Sequence, residues 1–108
     1  MIYSRIAEAY LNVEELNADF EFPMACKLLT IYLHSTVAIT EDVTLTFKSK
    51  DGAEFDTVLD TRRMTTEENF VYAAAGILGI NEGDRINVNV TNANLVGIVR
   101  VTIKAETT

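Results

Sequence analysis

Few side chains in this sequence have the type and the company that reactive chemistry needs. His34 is the only histidine, so a serine or cysteine hydrolase would have one residue to serve as its base. It falls on the polar register of an alternating run, beside Leu33, where a surface or rim histidine belongs. Cys26 is the only cysteine. No intrachain disulfide can form, and its place beside Ala25, just ahead of an apolar run, fits a buried and inert thiol. The acids Asp51, Glu54, Asp56 and Asp60 are the best candidate for a site. Oxygen ligands around a hairpin can hold calcium, which takes roughly six to eight, and Asp51, Glu54 and Asp56 are the ones that would converge on it. Their spacing does not match an EF-hand loop, and solvated carboxylates on a turn are the plainer reading. Two of these carboxylates would also make a glycosidase pair, though without the aromatic-lined cleft such enzymes use. No HExxH, CxxC or GxxxxGK[ST] occurs, so zinc, redox and P-loop chemistry lose their usual signatures. We expect no enzyme, no cofactor and no resident metal.

Binding is the remaining kind of chemistry. Sugar rings stack on flat aromatic faces, but tryptophan is absent, and Tyr32 and Tyr72 suit core or interface roles better than a sugar platform. Asn87, Asn89, Asn92 and Asn94 could hydrogen-bond a ligand. On a strand face followed by a turn, they are better suited to solvating an exposed sheet or pairing across a subunit contact.

The elements that would position these residues are strands. Ile86, Val88 and Val90 alternate with polar residues, as do Val99, Val101, Ile103 and Ala105, with the turn formers Thr91-Asn92-Ala93-Asn94 between them. A period of two implies one dry face and one wet face, so we expect a half-buried antiparallel pair closing as a hairpin. Leu29, Ile31 and Leu33 mark another strand, and Val43, Leu45 and Phe47 a third, rich in β-branched neighbours. Ser35–Asp42 reads as a connection with one apolar patch, Val37–Ile39. Ser49-Lys50-Asp51-Gly52 is a hairpin signal, because Asp-Gly tolerates the positive φ of tight turns. Phe55–Leu59 is the returning strand, with the inward direction of Phe55 or Val58 left open. Asp60–Asn69, polar and charged, reads as a loop. Phe70–Ala75 reads as a strand or a short helix, with Gly76 and Gly79 favouring the strand.

The first segment is harder to read. Ile6, Ala9, Tyr10, Val13 and Leu16 have helical spacing, whereas Ala7, Ala9 and Leu11 suit a strand. We expect residues 1–23 to be an arm or a loosely attached first strand that ends at the only proline, Pro23, and orders against a neighbour. Residues 24–108 form the domain proper. The expected fold is all-β, an antiparallel β-sandwich or jelly roll with an N-terminal arm.

Length and composition agree with one such domain. A chain of 108 residues, 48% hydrophobic, can remove about two-thirds of its unfolded surface from water without staples. The net charge of −7 argues against nucleic acid or an anionic membrane as partner, since either needs a basic stripe. No apolar run approaches the roughly 20 residues of a membrane span. The opening Met1-Ile2-Tyr3-Ser4-Arg5 leads to Glu8 rather than to a signal-type apolar stretch. Synthesis in a cytoplasm, with retention or assembly there, is the expectation.

The order of landmarks is similar to that of short virion proteins from tailed bacteriophages. The resemblance runs through Val43-Thr44-Leu45-Thr46-Phe47 and Lys50-Asp51-Gly52-Ala53-Glu54-Phe55-Asp56-Thr57-Val58-Leu59. It continues through Phe70-Val71-Tyr72 and Ile80-Asn81-Glu82-Gly83-Asp84-Arg85-Ile86-Asn87-Val88, and ends at Thr91-Asn92-Ala93-Asn94. It covers roughly residues 27–105 and leaves the amino-terminal segment outside. Leu95-Val96-Gly97 stands where similar proteins often carry an aromatic. What the resemblance implies is a non-enzymatic capsid decoration or cement protein on the virion surface, made in the host cytoplasm. Its partners would be the major capsid protein and further copies of itself, often in a trimer. Tyr3, Ile6, Tyr10, Phe20 and Phe22 of the arm, with Asn87 and Asn89 of the polar strand face, are the expected partner interface; Thr91, Arg100 and Thr102 would extend that face. The alternative is a tail- or fibre-associated module that binds a host glycan.

Overall fold

A single strand of 23 residues, β3 (Cys26–Lys48), runs through the whole molecule and belongs to both of its layers. In the computed structural model, which describes residues 1–108, it is joined by β1 (Ile2–Tyr10), β2 (Leu16–Glu21), β4 (Thr57–Ala73), β5 (Gly79–Ile80), β6 (Arg85–Val90) and β7 (Ile98–Thr107). The only helical residues are one 3-10 turn, Ala53–Phe55, before β4. All pairings are antiparallel. The first half of β3 pairs with β7 from Cys26↔Thr107 to Ser35↔Val99, and β1 lies beyond β7. The second half pairs with β6 from Val43↔Val90 to Lys48↔Arg85, and β2 lies beyond β6. On its other side β3 pairs with β4 along both halves, with register shifts between His34 and Glu41 where the strand changes layer. β1 and β2 touch at the far side, so the sandwich is nearly closed into a barrel on that side.

The core is the meeting of the two inner faces. Ile31, Leu33, Val99, Val101 and Ile103 from one layer face Val43, Leu45, Ile86, Val88 and Val90 from the other, all fully buried. Each such aliphatic side chain contributes about 1.5–3 kcal/mol of transfer free energy, so the alternation in these strands is what fixes their register. The all-β sandwich expected from the sequence is therefore present.

Several expectations about its parts are corrected. β6 and β7 do not form a hairpin. They pair with different halves of β3, and residues 91–97 carry the chain from one layer to the other. The charged interval Asp60–Asn69 is not a loop but the middle of β4, and Ser35–Asp42 is part of β3. β4 is an edge strand that pairs only with β3, and most of its side chains stay in water, so its middle carries no periodic signal. The strands expected at Phe55–Leu59 and Phe70–Ala75 fall at its two ends. Phe55 ends the 3-10 turn and Val58 sits in β4; both are exposed, so neither points inward.

Of the two readings of residues 1–23, arm or loosely attached first strand, the strand is the one present, and it is firmly attached rather than loose. β1 and β2 are strands of the common sheet, and Leu11, Leu16, Phe20 and Phe22 are buried in its core.

Candidate interaction surface

The exposed apolar side chains at one end of the sandwich gather where three segments meet. Tyr10 ends β1 opposite Ile98, Val37 lies at the bend of β3, and Leu95 and Val96 cap the crossover between layers. All five are at least one-third exposed. With Asn12, Thr36 and Gly97 they line a shallow groove of about 510 Å³.

This end is held firmly. Glu41, only 1% exposed, lies beneath the crossover and accepts three hydrogen bonds: from the Thr91 hydroxyl at 2.8 Å, the Ala93 amide at 3.0 Å and the Asn94 amide at 2.9 Å. A buried carboxylate is costly unless its lone pairs are met in this way. The Asp42 amide donates to Thr91 Oγ1, and the Asn94 side-chain amide donates to the Thr40 carbonyl. Gly97 has a φ of 98°. A Cβ there would come within 3.0 Å of both Ile39 and Ser35, so only glycine passes at this point. The Leu11 amide donates to the Gly97 carbonyl, tying in the loop after β1. Leu95 and Val96 are thus displayed on a braced turn. An exposed apolar patch on a braced turn is a candidate contact surface.

The residues expected at a partner interface are scattered across the fold. Phe20 and Phe22 are buried in the protein's own core and are withdrawn as contact residues. Tyr3 is half-buried, its ring 5.9 Å from that of Phe22, with the Arg5 guanidinium above it and Arg5 Nε donating to its hydroxyl. Ile6 is exposed on the outer face of the β1–β7 layer, and Tyr10 lines the groove. Asn87 is 7% exposed and donates from its amide to both Asn17 Oδ1 and Asp19 Oδ1, at 2.8 Å each, so it braces β2 against β6. Asn89 is half-buried beside Asn17 and Thr44. Arg100 and Thr102 lie on the outer face of the other layer. The single polar face expected from the sequence is therefore split between opposite sides of the molecule.

The reactive candidates are similarly dispersed. No three of the His, Cys, Asp and Glu side chains gather as a metal-ion cluster, so Asp51, Glu54 and Asp56 do not converge. Asp56 instead accepts the Ser49 amide at 2.9 Å and closes the turn before β4. His34 is exposed, and its Nδ1 shares Asn69 Oδ1 with the Tyr32 hydroxyl. Cys26 is buried, and loss of hydration raises its thiol above the ordinary pKa. Asp84, also buried, accepts amides of Lys50 and Asn81 and joins two loops.

Val37, Leu95, Val96 and Ile98 were missed as contact residues. In the sequence they are short apolar fragments among turn formers, some 60 residues apart in two groups. Only the Leu95-Val96-Gly97 departure from the resembling pattern hinted at them. No family model matches the chain, and no curated protein matches it.

Proposed function

We propose that this chain is a non-enzymatic structural protein of a virion, of the capsid decoration or cement type. It attaches to the outer shell and bridges subunits of the major capsid protein. The observation that carries the reading is the braced apolar end surface of Tyr10, Val37, Leu95, Val96 and Ile98 on an all-β body. The resemblance over residues 27–105 supplies the class of partner. Attachment acts by linkage: a protein that binds only the assembled shell stabilises it by an amount set by free concentration and affinity. A contact of standard size, about 1,600 Å² in total, suffices for specific attachment, and many copies on one shell multiply the effect.

Immunogold labelling tests this directly, using antibody against the purified chain on phage particles produced from the genome that encodes it. Gold over the heads is the expected result. Gold confined to tail tips would favour the glycan-binding alternative, and unlabelled particles would remove the virion reading. Leu95→Asp with Val96→Asp should abolish pelleting with shells while leaving the β-sheet circular dichroism intact.

A further inference from the structure

We infer that the carboxy-terminal end of β4, Asn69–Ala73, is a homodimer interface at which two copies join edge to edge into one continuous sheet. β4 pairs with β3 along nearly its whole length and with no strand on its other side. The free edge therefore presents unpaired backbone N–H and C=O groups, which natural proteins ordinarily protect with charge or irregularity. The rest of β4, Thr57–Glu68, is protected in both ways. It carries Asp60, Arg62, Arg63, Glu67 and Glu68, and Thr66 interrupts it at a φ of 52°. Of the other edge strands, β1 carries Arg5 and Glu8, β2 carries Asp19 and Glu21, and β5 is only two residues long, Gly79–Ile80. Asn69-Phe70-Val71-Tyr72-Ala73 carries none.

A second copy of this chain suits that edge best, because the segment is complementary to itself. An antiparallel pairing centred on a twofold axis at Val71 sets Val71 against its own equivalent, Asn69 against Ala73, and Phe70 against Tyr72. The last is an aromatic cross-strand pair on the inner side, and no like charges are opposed. Val71, paired with Tyr32, is 54% exposed on the outer side.

The loop after β4 supports the same occupant. Ile77 is 89% exposed, the most exposed large apolar residue of the chain. It is not on a loose segment. The Ala74 and Ala75 amides both donate to the Leu29 carbonyl, Gly76 donates to Leu28 and Ile77 to Ala74. Leu59, Tyr72 and Leu78 lie next to it around an apolar cleft of about 340 Å³. Burial of this rim by a second copy removes apolar surface from water and closes the edge at once. The contact uses different residues from the end surface proposed for the shell and does not depend on that reading. Its copy number is two, where the resemblance implies three.

Sedimentation velocity of the full chain, from about 1 to 200 μM, tests the proposal. The 12.0 kDa chain should sediment as a dimer at the upper end. Val71→Lys, which opposes two ammonium groups across the axis, should weaken self-association at least tenfold while keeping its circular dichroism. Ile77→Asp, on the loop, provides the same reading without altering a strand. Ile6→Lys, on the β1 edge, should leave the dimer unchanged. Val71→Cys should cross-link to a covalent dimer under mild oxidation, since Cys26 is buried. A wild-type monomer throughout the range, a trimer, or a dimer insensitive to both Val71→Lys and Ile77→Asp would overturn the proposal.

Discussion

β3 and β4 lie side by side along almost their full length, yet they contribute to the molecule in opposite ways. β3 buries Leu28, Ile31, Leu33, Ile39, Val43 and Leu45, together with the polar Ser35 and Glu41, whereas β4 buries only Met64 and Phe70. The backbone ladder between them is shared, so hydrogen bonding does not distinguish them. Position does. β3 has a strand on either side and an opposing layer beneath it, while β4 has a neighbour on one side and water on the other. The lesson is that strand content and stability are separable here: β3 holds the fold together, and β4 is free to be polar, charged and available.

Removing residues 1–23 is the most drastic way to test whether burial, rather than place in the chain, decides what the fold needs. These residues supply Leu11, Leu16, Phe20 and Phe22 to the core, so the truncated chain should lose its cooperative thermal transition altogether. A sharp transition in the truncated chain would restore the view of this segment as an arm. Within β3, Leu45→Ala should cost about 3 kcal/mol, from lost transfer energy and the cavity left behind, read as a shift in the urea midpoint. Glu41→Ala leaves its three donors without the carboxylate and should cost about 2 kcal/mol. Glu41→Gln, which keeps an acceptor oxygen, should cost about half that.

Cys26, at the start of β3, gives the contrast a pH dependence. Burial raises its thiol pKa, so the unfolded chain gives up that proton first as pH rises. Its contribution is complete below the unfolded value of about 8.5 and is lost progressively above it, towards the raised folded value. Replacing Cys26 with Ala should flatten this alkaline decline in urea stability, and the native thiol should resist a disulfide reagent that labels the unfolded chain quickly. The smallest effect is expected on β4. Arg63→Ala removes an exposed ion pair with Asp42 at 3.0 Å and should change stability by less than about 1 kcal/mol.

The same contrast explains how much was legible in the sequence. Strands with one dry face announced themselves, as with Val43-Thr44-Leu45 and Val99-Arg100-Val101. The middle of β4 did not, although its two ends were read as strands, because Arg62, Arg63, Glu67 and Glu68 all stay in or near water and a stretch wet on both faces has no period. β1 was ambiguous for a related reason: Ile6, Tyr10 and Val13 are exposed and, with Ala9 and Leu16, happen to recur at helical spacing. Irregular registers concealed other details. Between Leu28 and Thr30 the pairing with β7 slips, so Leu28 is buried while Leu29, the residue on the expected period, is only half-buried. The hairpin between β6 and β7 was misread because alternation reports that a face is buried, never which strand lies beside it. The contact surface was the least legible part, since Tyr10, Val37 and Leu95 become neighbours only once three segments have been folded together.

Residue-resolved hydrogen exchange, run on the wild type and on Val71→Lys at the same high concentration, tests the division between β3 and β4 most directly. Amides of Ile31–Leu33 and Val43–Leu45 should exchange only through global unfolding in both proteins. Outward-facing amides of Asn69–Ala73 should be slow in the wild type and fast in the variant, as expected of an edge covered only by a second copy. Equal protection of β3 and β4 in the variant would contradict the account.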